Sequence, residues 1–186
     1  GAFAYVPPTI DVLAPGAQTT VQDWPGRIGY WDVGVPPSGP MDALSHRLAN
    51  RLLGNASDAA TLEITLMGPT LRFNHAAEIC LAGAEMAAML DGADVPWLTP
   101  IAVAAGQTLA IGKANGPGQR AYLAVRGGIA APLYLGSRAT FTLGKFGGHA
   151  TGALRTGDVL HLAHAEGAPP LAEALAPELR PALTHR

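Results

Sequence analysis

Residues 61–125 are written as a series of short apolar runs, each stopped by a glycine, proline or acidic turn signal. The runs fall at 62–66, 70–73, 78–81, 86–90, 101–103, 108–111 and 121–125. Gly68-Pro69, Asp91-Gly92, Gly106-Gln107 and Gly116-Pro-Gly118 separate them. Runs this short cannot make helices of ordinary length, and Asp-Gly between two of them signals a tight hairpin. Two further runs, 10–13 and 19–22, precede this series, and 159–162 follows it. Many short strands at this spacing, with one substantial helix, predict a mainly β fold: an antiparallel β-barrel, closed or nearly so.

The helix is predicted over residues 40–53. Pro40 suits a first helical position, with Ser38 or Gly39 at the cap and Asp42 in the first turn. Met41, Leu44, Leu48 and Leu52 follow at spacings of three and four and make one apolar face. Gly54-Asn55 closes the helix, and 58–60 prolongs the helical region briefly. The glycine-rich segment 127–157 reads as a long ordered loop around Leu133-Tyr-Leu135. Leu171, Leu175 and Leu179 lie four apart, so the end of the chain reads as a short amphipathic helix or a linker.

Composition narrows the function. Apolar residues make up 48% and charged residues 14%, with a net charge of −2. That balance argues against disorder, and no basic run offers an electrostatic footprint for nucleic acid. No apolar stretch is long enough for a membrane helix. No basic n-region followed by an apolar core marks a signal peptide, which points to a cytoplasmic setting. The lone cysteine, Cys80, cannot form an internal disulfide and reads as an inert buried thiol. The Gly-Ala beginning suggests an excised piece.

Glycine, proline, aromatic and charged residues are concentrated between Thr19 and Asp42. Such a loop reads either as a site or as a well-packed entry to the helix behind it. Its end at a helix N-terminus would suit an anion. Common catalytic patterns are absent: no Walker lysine motif, no Gly-x-Gly-x-x-Gly after a strand, no Gly-x-Ser-x-Gly elbow. His161 and His164 would face opposite sides of a strand, and no metal site is expected. Polar residues held on glycine-rich backbone remain. Asp23, Arg27, Tyr30, Ser38 and Asp42 come from the first loop, and Arg126, Ser137, Arg138 and His149 from the second. An isolated arginine reads first as a structural ion pair or a backbone clamp, a reading that weakens for Arg27 and Arg126, which sit next to glycines. Glu63, inside an apolar run, is either outward-facing or a buried acid.

Several motifs resemble one family. Thr20-Val-Gln-Asp23, Gly26-Arg-Ile-Gly29, Gly34-Val-Pro-Pro-Ser-Gly-Pro-Met-Asp42 and Arg47-Leu-Ala-Asn50 are similar to the signature of the allophanate-hydrolase-subunit-2-like family. Leu62-Glu63, Gly68-Pro69, Ala124-Val-Arg-Gly-Gly128, Leu135-Gly-Ser-Arg138 and Phe146-Gly-Gly148 match it in the same order. The family includes the carboxyltransferase domain of biotin-dependent urea carboxylase and one of the polypeptides of bacterial 5-oxoprolinase. Tyr5-Val-Pro-Pro-Thr-Ile-Asp-Val-Leu13 resembles the urea carboxylase branch more closely.

The resemblance implies a cyclophilin-like barrel over residues 5–165. It implies a linker or short helix over 166–186 leading to a second half beyond it. It also implies transfer of a carboxyl group from N-carboxybiotin to urea, giving allophanate. Asp23, Arg27, Asp42 and Arg126 are then the catalytic candidates. Tyr30, Ser38, Gly39, Ser137 and His149 would bind substrate, and Gly127 and Gly128 would lie against the cofactor. Biotin would be carried on another domain or chain, and ATP used by a separate biotin carboxylase. The partners implied are the second half of the carboxyltransferase, the biotin carboxylase and the biotin carrier, with no nucleic acid and no membrane. An enzyme component of the 5-oxoprolinase kind and a non-catalytic regulatory or binding module on the same fold remain open alternatives. Gly147-Gly-His-Ala-Thr-Gly152 departs from the family's Gly-Gly-His-x-Gly-Arg, which leaves the second loop without an expected arginine.

Only Lys113 and Lys145 could accept biotin, and neither sits in a Met-Lys-Met carrier setting. Intact mass after co-expression with a biotin ligase should therefore show the unmodified chain, and an added biotin mass would refute this.

Overall fold

The alternating runs form strands whose faces are sorted by polarity. The computed structural model describes residues 8–23, 40–115, 119–130 and 153–162. In order, the elements are β1 (Thr9–Ala14), β2 (Gln18–Gln22), α1 (Ala43–Leu52), β3 (Thr61–Thr65), β4 (Thr70–Phe73) and β5 (Ala77–Gly83). They continue with β6 (Met86–Leu90), β7 (Ala93–Asp94), β8 (Ile101–Val103), β9 (Thr108–Ala114), β10 (Arg120–Val125), β11 (Ile129–Ala130) and β12 (Val159–Leu162). The expectation of a mainly β, antiparallel fold with one main helix holds among these residues. Hydrogen bonding does not close a ring among them. The strands divide into a seven-stranded sheet, β11-β12-β1-β4-β9-β6-β7, and a five-stranded sheet, β2-β3-β10-β5-β8.

The main core lies between the sheets. Ile10, Val12, Leu71, Phe73, Leu109 and Ile111 from the larger sheet pack with Leu62, Ile64, Ile79, Leu81 and Leu123 from the smaller. Period-two alternation turns the intervening residues of the smaller sheet the other way. There Cys80, Ala82 and Ala124 meet Ala49, Leu52 and Leu53 at the helix. The smaller sheet is thus covered on both faces, which is why β10 is buried from Ala121 to Val125. Burial at the second interface pushes the Cys80 thiol up to about 12 and keeps it inert, as the sequence suggested.

The helix differs from expectation in two ways. It begins at Ala43, with Asp42 as the N-cap, because the Asp42 carboxylate accepts from the backbone N–H of Ser45 and from its hydroxyl. The expected apolar face is also rotated. Leu52 is buried, but Met41 and Leu44 are 73% and 63% exposed, while Ser45, His46, Ala49 and Asn50 face inward. Residues 58–60 form a turn and its exit, not helix. The Asp91-Gly92 turn joins β6 to β7 with both residues at positive φ, 47° and 83°, as a type I′ hairpin requires. The turn at 116–118, the segment at 133–135 and the tail at 166–186 lie outside the described residues.

Gly83 carries a testable constraint. Its φ is +93°, and a Cβ there would stand 2.5 Å from the carbonyl oxygen of Arg120. Gly92 shares the positive φ but has open space around it. Gly83→Ala should destabilise by about 1–3 kcal/mol or more, and Gly92→Ala by less, read as a larger fall in Tm for the first.

Candidate functional site

Taking a carboxylate out of water is costly unless donors replace the water. Glu63 is 7% exposed on the helix-side face of β3, between β2 and β10. Its Oε2 accepts from the backbone N–H of Met41 at 2.8 Å and from the Tyr122 hydroxyl at 2.7 Å. That hydroxyl in turn accepts from the backbone N–H of Asp42 at 2.7 Å. Glu63 and Tyr122 are direct cross-strand partners, which sets their side chains against each other. Burial, then the adjacent Glu63 charge, push the Tyr122 phenol upward, so it stays a donor at any ordinary pH. Arg120, on the same face, brings its Nε to 3.9 Å from Glu63 Oε1. Arg120 Nε and Gln22 Oε1 are buried atoms without hydrogen-bond partners.

A second polar row runs along the helix. His46 Nδ1 meets Thr61 Oγ1 at 2.8 Å, and Asn50 Nδ2 lies 3.4 Å from His46 Nε2. That arrangement is satisfied when Nδ1 carries the proton. Asn50 Nδ2 also donates to the Ala59 carbonyl. Asn55 donates to Asn50 Oδ1 and to the Val125 carbonyl, and its own Oδ1 accepts from the Gly127 N–H at 2.8 Å. The row therefore begins beside the end of β2 and finishes at the root of the glycine-rich segment. Ile129 bonds to the Ala60 carbonyl, and Leu154, where that segment returns, bonds to the Thr19 carbonyl. The described roots of both candidate loops are gathered along β2 and β3.

The expected site residues are distributed as follows. Asp23, 6% exposed at the end of β2, places its charge near His46. The Asp42 carboxylate caps α1, and the N–H groups of Met41, Asp42 and Ser45 are all taken within the protein. The helix N-terminus is thus less open to an anion than its sequence suggested. Arg126 pairs with Glu78 at 3.1 Å while its backbone N–H bonds to the Glu78 carbonyl, the bracing arrangement that the sequence left open. Gly127 gives its N–H to Asn55, and Gly128 gives its N–H to Val125. A Cβ at Gly128 would stand 3.2 Å from that of Ala59, so packing and a φ of +85° account for glycine there. Arg27, Tyr30, Ser38, Gly39, Ser137, Arg138 and His149 lie outside the described residues.

Tyr122, His46, Asn50 and Asn55 were not among the site candidates read from the sequence, where Asn50 ended a motif and Asn55 closed the helix. A signal existed for three residues of the helical row: Asp42, His46 and Asn50 recur every four residues, a polar stripe beside the apolar one. Tyr122 had a weaker signal, a phenol inside an apolar strand that needs a hydrogen-bond partner when buried.

Burial lowers His46 to about 4, against partly opposing effects of the Ser57 backbone and the Asp23 charge. Its ordinary value is 6.5, so below that pH the unfolded chain binds the proton more readily than the folded one. Stability should therefore be full above pH 6.5 and fall as pH drops from about 6.5 to about 4, by roughly 1 kcal/mol per pH unit. Guanidinium unfolding at a series of pH values checks this. A His46→Gln variant should lose this component of the pH dependence.

The Carboxyltransferase domain, subdomain A and B family matches residues 33–186. The chain is 50% identical over 161 residues to urea amidolyase of Saccharomyces cerevisiae, covering 87% of this chain and 9% of that protein. It is 37% identical over 155 residues to a 5-oxoprolinase component of Haemophilus influenzae, covering 83% of this chain and 50% of that one. The crystal structure of Kluyveromyces lactis urea carboxylase superposes with a TM-score of 0.90 at 48% identity, covering 98% of this chain and 17% of that chain. The chain thus spans a small part of the urea amidolyases that it matches. With the family match running over most of its length, the chain belongs to the carboxyltransferase domain family, in its subdomain A and B region.

Proposed function

We propose that this chain is part of the carboxyltransferase of a biotin-dependent urea carboxylase, which moves a carboxyl group from N-carboxybiotin to a urea nitrogen and yields allophanate. The observation that carries the reading is the 50% identity to a urea amidolyase over most of the chain, against 37% to a 5-oxoprolinase component. The gathering of both loop roots along β2 and β3 supports it, since residues from two distant parts of the sequence can then serve one site.

Carboxybiotin, delivered by a carrier on another domain or chain, supplies the activated carboxyl group, and a separate ATP-using carboxylase recharges it. Lys113 lies on β9, bridged to Met67 in the sheet. The residues of this chain bind and orient. Urea presents N–H groups, for which Asp23 is an acceptor. Arg27 offers a planar fork to a carboxylate and remains a charge-stabilising candidate. Arg126, paired with Glu78, holds the root of the second loop. The remaining partners in this reading are the second half of the carboxyltransferase and the carboxylase and carrier domains, in a cytoplasmic enzyme.

Arg27→Ala in the intact protein should lower urea-dependent turnover by ~10²-fold or more if this side chain stabilises developing charge. Bicarbonate-dependent ATP cleavage with biotin reports on the other half-reaction and should continue. A folded Arg27→Ala enzyme with normal urea carboxylation removes that residue from the site. A wild-type protein that ignores urea but opens 5-oxoproline with ATP overturns the whole reading.

A further inference from the structure

We propose that Glu63 and Tyr122 are positioning residues for carboxyl transfer: they hold the consecutive backbone N–H groups of Met41 and Asp42 and so fix the point where the stretch begun at Asp23 re-enters the fold. The inference rests on the proposed function and adds two residues to it that touch no substrate.

Four observations carry it. One carboxylate oxygen, Glu63 Oε2, receives both Met41 N–H and the Tyr122 hydroxyl, and that hydroxyl receives Asp42 N–H, with all three distances at 2.7–2.8 Å. Two successive amides held this way fix the orientation of the peptide plane between them. The Met41 side chain is 73% exposed, so backbone bonds and not side-chain packing hold this point. The anchor itself sits mid-sheet on paired strands, with Tyr122 fully buried. Asp42 then caps α1, so the same link sets both the end of the loop and the start of the helix. A site whose groups must be held to within a fraction of an ångström needs such support behind it.

The test combines amide exchange with kinetics in the intact protein, supplied with the carboxylase and carrier activities that the proposed function requires. Tyr122→Phe keeps the ring and removes the hydroxyl. Glu63→Asp keeps the charge and shortens the reach. Glu63→Gln keeps an acceptor oxygen and serves as the conservative rescue. Tyr122→Phe should speed exchange of the Asp42 amide, and Glu63→Asp that of Met41, by about tenfold. In both variants kcat for urea-dependent turnover, per folded molecule, should fall by about tenfold or more with KM for urea little changed. Glu63→Gln should restore most of it. A purely structural role would lower Tm and the folded fraction but leave kcat per folded molecule at the wild-type value, and that result overturns the proposal. If Tyr122→Phe does not fold, a folded Glu63→Asp with unchanged exchange and kcat overturns it equally. A wild-type protein without urea-dependent turnover defeats the proposed function and the inference's link to it, yet the exchange comparison still decides whether the anchor exists.

Discussion

A carboxylate inside a β-sheet is tolerated only where donors are built around it, and Glu63 recruits its donors from two separate parts of the chain. The Tyr122 hydroxyl comes from the neighbouring strand and the Met41 N–H from the approach to the helix, while the Arg120 guanidinium, two residues from Tyr122 on β10, adds its charge at 3.9 Å. Removing one partner would leave a buried charge or a buried N–H uncompensated, which costs more than the bond itself contributes. These bonds hold residues 41 and 42 over β3 and β10 at the start of the helix. They act with the apolar packing of Ala49, Leu52 and Leu53 and with the row from His46 to Asn55 in placing α1.

That combination explains an otherwise odd helix. Its inward face carries Ser45, His46 and Asn50 as well as Ala49, Leu52 and Leu53. The apolar members fill the interface with Cys80, Ala82 and Ala124, while the polar members bond to Thr61, Ala59 and Asn55 at its edge. The helix contributes packing along one line and a hydrogen-bond row along another. The row ties the helix end to the root of the second loop, because Asn55 reaches Val125 and Gly127. A hydrogen-bonded row of this kind specifies one geometry where an apolar contact would permit several.

The proposed chemistry fits this architecture. Transfer of a carboxyl group between two nitrogens needs charged and hydrogen-bonding groups held in fixed relation, and rigid β scaffolds with loops at one end provide that. Arg126, Gly127 and Gly128 each make a structural contact: an ion pair to Glu78, an amide given to Asn55, and close packing on Ala59. In the proposed function these contacts lie beside the chemistry, for which Asp23, Arg27 and Arg126 remain candidates.

Most strands were legible in the residue pattern, while β7 and β11, two residues each, were not, and the second of them lies in a segment that reads as loop. Period-two runs between glycine and proline turns specify strands, because each run has only one way to bury its apolar side, and Asp91-Gly92 specifies its hairpin through the positive φ that both residues adopt. The motif order likewise carried the family, since it depends on residue identity alone. Which groups meet was settled by packing between elements. The apolar stripe Met41, Leu44, Leu48 and Leu52 and the polar stripe Asp42, His46 and Asn50 compete for the inward face of one helix. Local periodicity favours the apolar one. At the start of the helix the polar one prevails, leaving Met41 and Leu44 exposed, because β3 and β10 present Thr61, Glu63 and Tyr122 on the facing surface and buried polar groups must be paired, while Leu48 and Leu52 still pack on the sheet. The register that sets Tyr122 opposite Glu63 joins positions 59 residues apart. No local pattern encodes such a pairing, because it arises from the way whole strands align to bury their other face.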